Sequence, residues 1–211
     1  MRMKPMTVLG LSFAAGSIPS SYIAARRRAQ VDLRDVGTGT VSGTSLYRVA
    51  GFGPLAMAGI ADIAKAAVGP LLAGPDRPVL AACAGGAAVA GHNWSPFLRG
   101  AGGRGFAPSL GALGVQAWPA VPLMLGGLVA GKAFRQTGLG GFLATCALVP
   151  VLSRTNGKRG AFAGACVVAP MWAKRLVGNA PPAQPTLRAY ARRLLFDEDE
   201  VASGGPEASI P

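Results

Sequence analysis

Six apolar stretches, residues 6–25, 50–73, 79–98, 110–131, 139–152 and 161–172, dominate this 211-residue sequence and leave it few ways to fold. A helix needs about 20 mainly apolar residues to cross the hydrocarbon core of a bilayer. The first four stretches reach that length, and the last two are short enough to tilt or to enter the membrane part-way. The pattern predicts an all-α, polytopic integral membrane helical bundle of five to seven membrane helices, some of them short or re-entrant. Composition agrees: half of the residues are apolar, only 14% are charged, and mean hydropathy is +0.37, which is too greasy for an ordinary soluble domain. The start, Met1-Arg2-Met3-Lys4 before an apolar run, has the outline of a signal peptide, but Gly16, Ser17, Pro19, Ser20 and Ser21 interrupt the run. It reads as a retained first membrane helix.

The chain carries 21 basic and 9 acidic residues, a net charge of +12. In a membrane protein, basic residues first serve to hold cytoplasmic loops beside anionic lipid, so a lipid partner is expected and a nucleic acid is not. Arg26, Arg27 and Arg28 mark the cytoplasmic end of the first helix. Simple alternation then puts loops 26–49, 99–109 and 154–159 on one face, with Lys132 and Arg135 opposite. Cys83, Cys146 and Cys166 sit far apart in apolar runs, and His92 is the single histidine, so no metal site is expected. Residues 1–178 read as the membrane domain. Residues 179–211 read as a Pro-rich linker, a surface helix over 187–196 with Arg188, Arg192 and Arg193 on one face, and a disordered acidic tail.

Two polar loops stand out against this apolar ground. The first is Val36-Gly37-Thr38-Gly39-Thr40-Val41-Ser42-Gly43-Thr44-Ser45, followed by Arg48. Its glycines let backbone N–H groups turn toward an anion, its hydroxyls add donors, and the arginine supplies a fixed positive charge. The second, Arg99-Gly100-Ala101-Gly102-Gly103-Arg104-Gly105, follows His92-Asn93-Trp94 and fits either a second phosphate site or a plain basic loop. Asp62 and Lys65, three residues apart in an apolar segment, share one helix face. They form either a packing pair or a charge pair at an anionic substrate. His92 is the one candidate for acid–base work or, as a neutral ring, a loop-stabilising group. Outside the tail the acidic residues are Asp32, Asp35, Asp62 and Asp76, which offer no carboxylate dyad or Ser-His-Asp set. An enzyme built from these parts needs a substrate that brings its own reactivity, such as an activated acyl or phosphoryl donor, and works by positioning.

The ordered motifs resemble those of the bacterial membrane acyl-phosphate:glycerol-3-phosphate acyltransferases. Gly16-Ser17-Ile18-Pro19-Ser20-Ser21-Tyr22 matches the family's first-helix motif. The run from Arg34 to Arg48 matches its first loop, with Thr40 and Ser45 where the family has asparagine. Asp62 and Lys65 match an Asp-x-x-Lys pair, Gly91-His92-Asn93 a Gly-His-Asn motif, and residues 101–111 the family's second glycine loop, with Arg104 in place of a lysine and Ala101 in place of another. The family's closing His-x-x-Asn-x-x-Arg-Leu aligns on Arg175-Leu176, which puts Ala169 and Trp172 at its His and Asn positions.

The resemblance implies an enzyme of phospholipid synthesis in the bacterial inner (cytoplasmic) membrane. It would move a fatty acyl group from acyl phosphate to glycerol 3-phosphate, giving lysophosphatidic acid, without a cofactor and with its active site facing the cytoplasm. It further implies Lys65, His92, Asn93 and Arg104 as catalytic groups. Ser17, Gly37, Thr38, Gly39, Thr40, Thr44, Ser45, Arg48, Gly102 and Gly103 would bind phosphate. Two other classes fit the same residues: a non-catalytic relative that binds a phosphorylated lipid or metabolite, and a small membrane transporter.

Overall fold

In the computed structural model, which describes residues 2–36, 39–182 and 184–197, the chain is helical and the described residues contain no strand. The helices are α1 (Pro5–Ser17), α2 (Ser20–Ala29), α3 (Gly43–Ala50), α4 (Phe52–Ala73), α5 (Pro78–Asn93), α6 (Phe106–Gln116), α7 (Ala120–Ala133), α8 (Thr137–Val177) and α9 (Leu187–Phe196). Short 3-10 turns at Leu33–Asp35 and Pro96–Leu98 precede the two glycine-rich loops. Gly37 and Thr38 of the first loop, and the tail from Glu198 onward, lie outside the described residues.

Three helical stretches, Pro5–Ala29, Phe52–Ala73 and Thr137–Val177, are long and apolar enough to cross a membrane. Met57, Ile60 and Leu71 on α4 are each more than 60% exposed, while Asp62 and Lys65 of the same helix are buried. Apolar residues therefore face outward and charges inward, the arrangement a lipid environment demands. Because lipid tails are as apolar as leucine, association between such helices relies on close packing and hydrogen bonds rather than on expulsion of water. Small residues make that packing possible here. A Cβ on Gly16 would lie 2.1 Å from the Ala88 carbonyl oxygen, and one on Gly91 would lie 2.3 Å from that of Phe13. Between the same two helices, the Ser12 hydroxyl donates to the Ala84 carbonyl over 2.5 Å. The α4–α6 crossing is as tight, with Gly111 against the Ile63 carbonyl.

Two features depart from the sequence pattern. The stretch 110–131 is not one span: α6 stops at Gln116, and α7 begins at Ala120 after Trp118-Pro119. Proline has no N–H to donate and favours the start of a helix over its interior, so the chain turns there. The two short stretches 139–152 and 161–172 belong to two longer arms of α8, which reverses at Gly157 (φ 64°, ψ −157°), a conformation that favours glycine. A straight helix would separate residues 138 and 175 by about 55 Å. Instead, Arg175 Nη2 donates to the Gly138 carbonyl over 3.1 Å, and Trp172 Nε1 donates to Thr145 Oγ1 over 2.9 Å.

This reversal corrects the alternation read from charge. The basic cluster Arg154, Lys158 and Arg159 flanks Gly157 at the end of the bundle opposite the glycine loops. The turn carrying Lys132 and Arg135 is instead at the loop end, one step before Gly138. Treating 110–131 as a single crossing shifted every later loop to the wrong face. Gly111→Ala is expected to destabilise the protein by about 1–3 kcal/mol through overpacking, whereas Gly59→Ala, where nothing lies within 4 Å, changes stability by less than about 0.5 kcal/mol. Thermal unfolding in detergent measures both.

Candidate active site

The site is built where the first helix breaks. Ile18 ends α1 in an extended conformation (φ −60°, ψ 117°) and Pro19 follows, so α2 starts afresh at Ser20. The carbonyls of Ser17 and Ile18 lose their helical partners, and in lipid no water replaces them. Ser20 N donates to the Ile18 carbonyl over 3.1 Å, and distant residues supply further donors. Ser95 Oγ donates to the Ser17 carbonyl over 2.6 Å, and Lys65 Nζ donates to the Ile18 carbonyl.

Lys65 is the centre of a buried polar cluster. Its ammonium lies 2.7 Å from Asp62 Oδ1 and 3.4 Å from His92 Nδ1; His92 Nδ1 is also 3.6 Å from Asp62 Oδ1. An ammonium has three protons to give and no acceptor. Ile18, Asp62 and His92 Nδ1 all lie within its reach, which leaves the other ring nitrogen, His92 Nε2, turned away from the cluster. That nitrogen faces Gly103, where a Cβ would lie 2.2 Å from it. His92 lines a small pocket with Pro19, Ser20, Ser21, Val41, Leu98, Gly102 and Gly103.

The two glycine-rich loops meet at this pocket. Val41 N donates to the Gly102 carbonyl over 3.3 Å, and Gly103 N donates to the His92 carbonyl over 3.3 Å. Gly102 packs against the carbonyls of His92 and Asn93, where a Cβ would lie 2.3 Å from either oxygen, so a side chain would push the loop off α5. Arg104 lies beside them. It donates to the Lys174 carbonyl over 3.0 Å and pairs with Asp197 at 2.7 Å. Lys174, fully buried, donates to the Gly100 carbonyl over 3.3 Å and sits 5.3 Å above the Trp94 ring. Beneath the first loop, Arg34 clamps Asp32 at 2.7 Å and holds its carboxyl down at about 2.

Lys65, His92, Gly102 and Gly103 therefore come together, while Arg104, next along the second loop, turns to the Lys174 carbonyl and Asp197. Gly39 (φ 67°) and buried Thr40 reach the same junction from the first loop. Other candidates are used differently. Ser17 is buried with its hydroxyl on the Phe13 carbonyl over 2.8 Å, a bond within the last turn of α1. Asn93 is fully buried and donates from Nδ2 to the Pro170 carbonyl over 2.8 Å, fixing α5 to α8. Thr44 and Ser45 stand in the first turn of α3, with Ser42 Oγ accepting from Ser45 N over 3.2 Å, and Arg48 is exposed in its last turn. None of the three lines the pocket with His92. Gly37 and Thr38 lie outside the described residues.

Sequence reading missed Ser95, Lys174 and Asn179. Ser95 stood beside a proline and Lys174 in a run of helix-end cations, so neither had a local signature. Asn179 follows Gly178 (φ 69°), which caps α8. A polar residue directly after a left-handed glycine was the available signal. Where the resemblance expected His and Asn, Ala169 is exposed and the Trp172 indole is held by Thr145 across the α8 hairpin.

Comparison with known proteins agrees with this geometry. A family model described as Glycerol-3-phosphate acyltransferase matches residues 6–177. A glycerol-3-phosphate acyltransferase of Synechococcus sp. (strain CC9902) is 34% identical over 172 residues, covering 80% of this chain and 86% of that protein. Another, of Parasynechococcus marenigrum (strain WH8102), is 34% identical over 168 residues, 78% of each chain. Two solved structures of PlsY (YgiH), an integral membrane glycerol 3-phosphate acyltransferase, share the fold. The glycerol 3-phosphate form has a TM-score of 0.72 at 22% identity, over 79% of this chain and 86% of that one. The lysophosphatidic acid form has a TM-score of 0.67 at 19% identity, over 86% and 96%. The chain belongs to the glycerol-3-phosphate acyltransferase family of integral membrane enzymes.

Proposed function

We propose that this chain takes its acyl group from an acyl phosphate and that the junction of the two glycine loops is where transfer occurs. As a member of its family it is an acyltransferase of phospholipid synthesis acting on glycerol 3-phosphate. The observation that carries the rest is the buried Asp62–Lys65–His92 cluster meeting the Gly102-Gly103-Arg104 backbone. Cationic and N–H donors converge there.

An acyl phosphate suits such a site because phosphate is its own leaving group. The glycerol 3-phosphate hydroxyl oxygen bonds to the acyl carbon, the acyl–phosphate bond breaks, and the hydroxyl proton passes to the released phosphate. The products are lysophosphatidic acid and inorganic phosphate. Arg104 offers a forked donor to a phosphate, and the first turn of α3, with Thr44 and Ser45, offers backbone N–H groups and the positive end of a helix dipole. Lys65, with His92 beside it, stabilises negative charge as it develops in the transition state, and Asp62 offsets the cost of burying Lys65. Gly37, Thr38, Gly39, Thr40 and Arg48 complete the phosphate cradle in this reading, with Ser17 and Asn93 holding its frame.

The loops face the cytoplasm of a bacterial inner membrane in this proposal. Arg26, Arg27 and Arg28 are exposed at the end of α2. With Arg99, Arg104, Lys132 and Arg135 they crowd basic charge onto the loop end, as the positive-inside rule expects.

Purified protein in lipid should form lysophosphatidic acid from palmitoyl phosphate and glycerol 3-phosphate. No product, under conditions where a PlsY preparation is active, overturns the donor assignment. Arg104→Ala is expected to lower kcat/KM by about 100-fold or more, followed as phosphate release. Asp62→Ala should destabilise the fold by about 3–5 kcal/mol by stranding a buried cation. The double variant Asp62→Ala with Lys65→Met should recover part of that loss, which a double-mutant cycle with Lys65→Met alone, read by unfolding temperature, would measure.

A further inference from the structure

Asn179 lies two residues past the segment that matches the family model, yet its side chain joins both glycine-rich loops. Its Oδ1 accepts from Gly102 N over 3.1 Å, and its Nδ2 donates to the Gly102 carbonyl over 3.1 Å and to the Gly39 carbonyl over 3.0 Å. Both ends of one amide therefore grip the Gly102 residue as a neighbouring strand would, while the spare proton reaches across 140 positions of sequence to the first loop. Among the described residues, the backbone hydrogen bond that joins the loops directly is Val41 N to the Gly102 carbonyl. The anchor is firm: α8 ends at Val177, Gly178 N donates to the Lys174 carbonyl over 2.9 Å, and Arg193 of α9 donates to the carbonyls of Val177 and Ala180.

We infer that Asn179 is a positioning residue that sets the spacing of the two phosphate-binding loops and so tunes affinity for glycerol 3-phosphate. This rests on the acyltransferase reading above. Acyl phosphate is held by its hydrocarbon chain in lipid as well as by polar contacts. Glycerol 3-phosphate is water-soluble and held by polar contacts alone, so a loosened cradle raises its KM first. Asn179 touches neither substrate in this assignment; it acts through the Gly39 and Gly102 backbone.

The test compares wild-type enzyme with Asn179→Ala and Asn179→Asp in lipid, reading KM for each substrate, kcat and unfolding temperature. Asn179→Ala is expected to raise KM for glycerol 3-phosphate at least tenfold, with KM for palmitoyl phosphate and kcat within threefold. Asn179→Asp keeps the acceptor for Gly102 N but loses both donated bonds and adds negative charge beside the cradle, so its KM should rise further. Inhibition by inorganic phosphate should weaken in the same order. An unchanged KM in Asn179→Ala overturns the inference, as does failure of both variants to fold, which would make Asn179 a scaffold residue. An inactive wild-type enzyme instead overturns the acyltransferase reading itself, and this inference with it.

Discussion

The break at Ile18–Pro19 is the constraint on which the site depends. Inside a bilayer a freed carbonyl must find a donor within the protein, and the two carbonyls exposed here recruit theirs from α4 and from the turn after α5. Lys65 answers one and Ser95 the other. A lysine fixed this way cannot swing out to the membrane surface. Its position fixes Asp62, which balances it, and orients His92. The catalytic proposal thus begins with an ordinary consequence of proline, felt through backbone polarity rather than through shape.

Much of this was legible in the sequence. Apolar stretches announced the membrane helices, and Asp62 with Lys65 announced a buried polar cluster, because lipid makes an unpaired charge so costly. The glycine runs marked backbone that had to approach other backbone, and Gly102 and Gly103 do so against His92 and Asn93. What failed was placing the turns. Periodicity cannot distinguish one span from a helical hairpin when the turn, Trp118-Pro119, is itself apolar and brief. Nor could it distinguish two short helices from two full arms when Gly157 is the sole interruption among basic residues.

Side-chain roles were less legible than residue types. Ser17 and Asn93 sit at motif positions, yet their hydrogen bonds go to helix backbone. Asn179 lies outside the motifs, yet bridges both loops. A motif records which residue type recurs at a position, whereas the partner a side chain chooses depends on which carbonyls the fold leaves unanswered. Trp172 makes the same point: at a position where the resemblance expected a phosphate-facing amide, the chain carries an indole bonded across the α8 hairpin to Thr145.

The Arg104–Asp197 pair bears on how the site meets its ligand. An arginine already matched by a carboxylate does not wait as bare charge in a low-dielectric setting; under the proposed function an incoming phosphate would take it by exchange. Such an exchange would discriminate by valence, since a dianion competes for the guanidinium better than a carboxylate does. On that reading Asp197 would set a threshold that filters anions by charge before any recognition of their shape.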